Sequence, residues 1–129
     1  MKEFKYKLKI EAEPEDVYAA FTNPFTLELW TGYPATMSTE VGSEFSLWEG
    51  DITGINLEFV ENEKLVQEWY FGEQEEKSIV TVKFFKERKH TKVELVHTNI
   101  PDEAYEEMTE GWKEYFLGGI KEFLEIDDE

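Results

Sequence analysis

Lys92-Val93-Glu94-Leu95-Val96-His97-Thr98 and, beyond Pro101, Tyr105-Glu106-Glu107-Met108-Thr109-Glu110-Gly111-Trp112-Lys113-Glu114-Tyr115-Phe116-Leu117-Gly118-Gly119-Ile120-Lys121-Glu122-Phe123-Leu124 hold the change of period on which the fold turns. In the first run Val93, Leu95 and His97 share one side at a period of two, the pattern of a half-buried strand. In the second, Tyr105, Met108, Trp112, Tyr115, Phe116, Ile120, Phe123 and Leu124 recur at steps of three and four, which puts them on one face of a helix. Glu103, Glu106, Glu107, Glu110, Lys113, Glu114, Lys121 and Glu122 fill the opposite face.

Upstream of this junction the chain reads as a sheet with two short helices. Phe4, Tyr6, Leu8 and Ile10 alternate with Lys5, Lys7 and Lys9 in a first strand. Glu13-Pro14-Glu15-Asp16 opens a short helix, because proline suits the first helical turn and carboxylates favour the positive end of the helix dipole. Its apolar side is Val17, Tyr18, Ala20 and Phe21, and Asn23-Pro24 stops it. Phe25 to Trp30 forms a second short turn of helix before Thr31-Gly32-Tyr33-Pro34 breaks the pattern. Between Ala35 and Thr98 the runs Glu44 to Trp48, Ile52 to Val60, Lys64 to Phe71, Ser78 to Phe85 and Lys92 to Thr98 alternate with turn signals. Those connections are Gly42-Ser43, Glu49-Gly50-Asp51, Glu61-Asn62-Glu63, Gly72 to Lys77 and Lys86 to Thr91. The order predicts an α+β domain over residues 1–129: a curved antiparallel sheet of about six or seven strands wrapped around a long C-terminal helix, with a frayed tail at 127–129.

A net charge of −17 on 129 residues repels phosphate backbones and anionic lipid, so neither nucleic acid nor membrane is expected as a partner. Residues 1–7 lack the apolar core of a signal peptide, and a cytoplasmic monomer is expected. The absence of cysteine excludes disulfides, thiol nucleophiles and thiolate metal sites. The 10 Phe, 6 Tyr and 4 Trp are needed to offset chain entropy before any ligand is invoked.

Few polar residues offer chemistry. His90 lies in the charged turn Lys86 to Lys92 and reads as surface, whereas His97 faces inward. Gln67 shares the inward face of its strand with Leu65 and Trp69. Each either satisfies a hydrogen bond in the core or supplies a polar group to an apolar pocket. Gly111, Gly118 and Gly119 weaken the helix and mark close packing, a bend or room for a ligand. There is no nucleophile elbow, no His-Glu-x-x-His motif and no glycine-rich phosphate loop leading into a helix. One inward histidine cannot make a zinc site, and Asp51-Ile52-Thr53-Gly54 lacks the ligands of a calcium loop. No catalytic residue, metal or cofactor is assigned.

Several segments occur in an order that resembles one family: Pro14-Glu15-Asp16-Val17-Tyr18, Ala20-Phe21-Thr22, Trp30-Thr31-Gly32, Val41-Gly42-Ser43-Glu44-Phe45-Ser46-Leu47, Gly50-Asp51-Ile52-Thr53-Gly54-Ile55-Asn56, Val66-Gln67-Glu68-Trp69, Val96-His97-Thr98, Pro101 and Gly111-Trp112-Lys113-Glu114-Tyr115-Phe116. The sequence is similar to the activator of heat-shock protein 90 ATPase family, in its C-terminal-type domain, within the START-like (SRPBCC, helix-grip) superfamily. The resemblance spans nearly the whole chain and implies the same helix-grip fold.

Two functions are expected on these grounds. The first is a non-enzymatic binding module whose hydrophobic pocket, between sheet and terminal helix, takes a small apolar or aromatic ligand; its residues are Trp30, Phe45, Gln67, Trp69, His97, Met108, Trp112 and Tyr115. The alternative, which the resemblance alone implies, is a co-chaperone-like module acting on a heat-shock protein 90-type chaperone. A cyclase or hydrolase of the superfamily's kind is the third and least supported reading.

Overall fold

A computed structural model describes residues 1–72 and 76–125. Six strands, β1 (Lys2–Ile10), β2 (Glu44–Leu47), β3 (Ile52–Val60), β4 (Lys64–Trp69), β5 (Ser78–Glu87) and β6 (His90–Ile100), form one curved antiparallel sheet in the order β1-β6-β5-β4-β3-β2. The first strand is therefore paired with the last, Phe4 opposite His97 and Leu8 opposite Val93, so the β1–β6 contact joins segments far apart in the sequence and leaves β1 and β2 as the two edges.

Two short helices, α1 (Pro14–Thr22) and α2 (Pro24–Thr31), follow β1. Both begin on a proline, and Asn23 ends one and caps the other: its N–H donates to the Ala19 carbonyl, and its side-chain oxygen accepts from the Thr26 N–H at 3.0 Å. Gly32, at φ +82°, closes α2 in the left-handed conformation that glycine takes without a Cβ penalty. The predicted inner side of α1 is observed, with Val17, Tyr18, Ala20 and Phe21 all buried.

Three predicted connections are corrected. The Lys86–Thr91 loop is a two-residue hairpin: Glu87 pairs with His90, and Arg88 at φ +50° makes the turn, so the ladder runs farther than the charge run suggested. Strand β2 stops at Leu47, because Trp48 (φ +51°), Glu49 (φ +55°) and Gly50 (φ +94°) are successive left-handed positions in a tight turn. Strand β4 ends at Trp69, short of Phe71.

The C-terminal helix consists of α3 (Tyr105–Gly111), a π-helical turn over Trp112–Phe116 and α4 (Leu117–Leu124). The wider turn shifts the apolar stripe by one residue. Trp112, Phe116, Leu117 and Ile120 are buried, while Tyr115, predicted inward, is 67% exposed. Glu103, Glu106, Glu107, Glu110, Glu114 and Glu122 are exposed as the periodicity required. The predicted tail at 127–129, and positions 73–75 of the predicted Gly72 to Lys77 loop, lie outside the described residues. No helix among the described residues is long and apolar enough to cross a membrane.

The three helix glycines have different causes. A Cβ on Gly118 would lie 2.5 Å from the Lys113 carbonyl oxygen, and one on Gly119 would lie 3.1 Å from the Trp30 ring, whereas one on Gly111 meets nothing within 4 Å. Alanine at Gly111 is therefore expected to stabilise the protein by about 0.5–1 kcal/mol through helix propensity. Alanine at Gly118 is expected to destabilise it by about 1–3 kcal/mol, because the obstacle is backbone that cannot rotate away. Urea denaturation of the two variants checks both signs.

Candidate functional site

Trp69 closes β4 and Trp112 opens the π turn, and their rings stack with centroids 4.8 Å apart and planes 22° apart. Both are almost fully buried, and each indole N–H is tied to a separate chain of polar side chains. Trp69 Nε1 donates to Gln67 Oε1 at 2.9 Å; Gln67 Nε2 donates to Asn56 Oδ1 at 3.0 Å; Asn56 Nδ2 donates to Ser43 Oγ at 3.1 Å. Trp112 Nε1 donates to His97 Nδ1 at 3.0 Å, and His97 Nε2 lies 2.8 Å from Ser78 Oγ, which donates to the Thr98 carbonyl at 3.1 Å.

An indole can only donate, so the Trp112 contact leaves His97 Nδ1 as acceptor and puts the proton on Nε2, which donates to Ser78. The imidazole is neutral, and burial holds its pKa down at about 3. No buried side-chain nitrogen or oxygen among the described residues lacks a hydrogen-bond partner.

A cleft of about 400 Å³ opens above the stacked pair. Trp69, Trp112 and Phe116 are its buried floor. Trp30, from α2, and Trp48, from the turn after β2, form one wall and meet edge-to-face at 5.5 Å. Met108 and Gly111 form the helix wall, with exposed Tyr115 at the rim. All four tryptophans of the chain thus line one cleft.

Of the eight residues predicted for a pocket, five line this cleft: Trp30, Trp69, Met108, Trp112 and Tyr115. The other three do not. Gln67 and His97 sit behind the floor and hold the two indoles, so the buried polar groups position aromatic rings rather than face the cleft. Phe45 is buried against Gly54, away from the cleft. The sequence reading missed Trp48, because strand alternation from Phe45 and Leu47 points it outward, and the left-handed turn swings it back. It also missed Asp51, read as part of a turn, and Glu107, read on the outer face of the helix, both of which lie on the cleft's lining. Among the described residues no cluster of three metal-ligating side chains occurs.

The neutral His97 makes stability depend on pH. The folded state resists protonation down to about pH 3 while the ordinary value is 6.5, so in that window the unfolded chain binds the extra proton. Stability is therefore expected to fall as pH drops below 6.5, by about 1.4 kcal/mol per unit from this group, and a His97→Gln variant should lose that part of the slope. Trp112→Phe, which strands the Nδ1 acceptor, should cost about 1–3 kcal/mol. Denaturation midpoints between pH 7 and pH 4.5 test the first, and urea titration at pH 7 the second.

The family model described as Activator of Hsp90 ATPase homolog 1-like protein matches residues 11–125. The chain is 36% identical over 123 residues, 93% of its length, to the activator of 90 kDa heat shock protein ATPase homolog of Dictyostelium discoideum, and 27% identical over 111 residues to homolog 1 of Homo sapiens. It spans about a third of the length of these curated relatives, 32% and 33% respectively. Among solved structures it resembles an HSP90 activator from Plasmodium falciparum, with a TM-score of 0.88 and 32% identity over 96% of both chains. It also shares the fold of the Aha1 dimer from Colwellia psychrerythraea, with a TM-score of 0.85 and 20% identity over the whole of both chains. With the match running from the end of β1 to the end of the C-terminal helix, the chain belongs to the Activator of Hsp90 ATPase homolog 1-like family.

Proposed function

We propose that this protein is a protein-interaction module that binds an Hsp90-type chaperone and modulates its ATPase, without catalysing a reaction of its own. The observation that carries the reading is the Plasmodium falciparum structure: a chain matched over 96% of its length, at 32% identity, is described as an HSP90 activator. Charge and exposed apolar surface fit such a role. A −17 domain gains association rate from a basic partner surface, and Phe25 and Leu29, one turn apart on α2, are 70% and 57% exposed. The test is the ATPase rate of a purified Hsp90-type chaperone with and without an excess of this chain. A changed rate is expected, with binding that weakens as salt rises and falls about ten-fold in a Phe25→Ala, Leu29→Ala double variant. An unchanged rate together with no measurable complex would sink the reading.

A second reading is favoured by the tryptophan cleft, whose volume of about 400 Å³ lies within the range of small-molecule sites. On this reading the cleft takes a small, largely apolar ligand, and Trp30, Trp48, Trp69, Met108, Trp112 and Tyr115 contact it. Native mass spectrometry of protein purified from its own host should show a retained ligand, and the same spectrum reports any bound chaperone. A Gly111→Leu substitution, which projects a side chain from the helix wall, is expected to release that ligand; retention by the variant would remove the cleft from consideration.

A further inference from the structure

The ring faces and charges of the cleft define the ligand class more closely, on the second reading above. Three of the four indole N–H groups are already committed: Trp30 to the Ala20 carbonyl, Trp69 to Gln67 and Trp112 to His97. The cleft therefore presents aromatic surface and few donors, a poor match for an anion. Its charged lining consists of Asp51 and Glu107, both exposed, and neither forms an ion pair among the described residues. Among the described residues no lysine or arginine lines the cleft. Elsewhere the protein's own ammonium groups already sit over rings: Lys2 over Tyr105, Lys92 over Phe85, and Lys113 over Phe4 and Tyr6. Among the described residues no ammonium or guanidinium sits over a cleft tryptophan, although tryptophan is the ring that attracts one most strongly.

We infer that the cleft takes a small organic cation, an alkylated ammonium head carried on an apolar body. The half-buried indoles of Trp30 and Trp48 and the exposed ring of Tyr115 stabilise the head through their quadrupoles, Asp51 and Glu107 supply the opposite charge at the lining, and the −17 field of the domain raises the local concentration of cations. The π turn contributes to the same geometry, because it brings Trp112 and Phe116 to the floor while leaving Tyr115 at the rim.

The test is a titration of the full chain, at low salt, with choline, its neutral carbon isostere 3,3-dimethylbutan-1-ol and the anion 3,3-dimethylbutanoate, followed by the four indole N–H resonances. Choline is expected to bind about ten-fold more tightly than the alcohol, and the anion more weakly than either. The Asp51→Asn, Glu107→Gln double variant, altered only at exposed positions, should lose a large part of the choline preference while keeping the alcohol's affinity. If the alcohol binds as tightly as choline, the cation inference falls and the apolar-ligand cleft stands. If none of the three moves the indole resonances, the cleft reading falls with it.

Discussion

Sheet and terminal helix meet through the stacked indoles of Trp69 and Trp112, and much of the site depends on that one contact. An aromatic pair of this geometry contributes about 0.5–1.5 kcal/mol beyond the apolar area it buries. Its larger consequence is positional. Each ring is held at its nitrogen by a polar chain rooted in the sheet, Gln67–Asn56–Ser43 on one side and His97–Ser78–Thr98 on the other, so the pair cannot slide without leaving buried donors and acceptors unpaired. The cleft floor is thereby fixed in place from below.

The same contact accounts for the irregularity of the helix. Trp112 and Phe116 both reach the floor, and an extra residue in the turn between them lets α4 continue with Leu117 and Ile120 against the core. Gly118 then becomes necessary, since the carbonyl of Lys113 occupies the space a side chain would need, and Gly119 admits the ring of Trp30. Gly111 answers to neither demand and borders the cleft instead. Three residues that read alike in the sequence thus have three separate physical roles.

Much of the architecture was legible because burial imposes periods. Phe4 to Ile10 and Val93 to His97 announced strands, and the steps of three and four from Tyr105 announced a helix; the sheet and the helix are where those periods put them. The candidate site was legible only in part. Hydrophobic patterning placed Trp69, Met108 and Trp112 on the correct side, yet it could not distinguish a polar residue that lines a cleft from one that anchors a ring behind it, which is the difference for Gln67 and His97. The exposure of Tyr115 at the cleft rim and the place of Trp48 in its wall were not legible, because their directions depend on a π turn and on left-handed backbone, neither of which leaves a periodic trace.

The sequence by itself determined the class of fold, the acidic outer surface and the family, since all three follow from composition, period and the order of short segments along the chain. Tertiary structure alone decided which aromatics converge, which nitrogen of His97 carries the proton, and that Asp51 and Glu107 border an aromatic cleft. The reason is physical. Period reports only whether a side chain faces in or out, whereas a site is built from contacts between elements distant in sequence, and those contacts are fixed by packing and by the pairing of buried polar atoms.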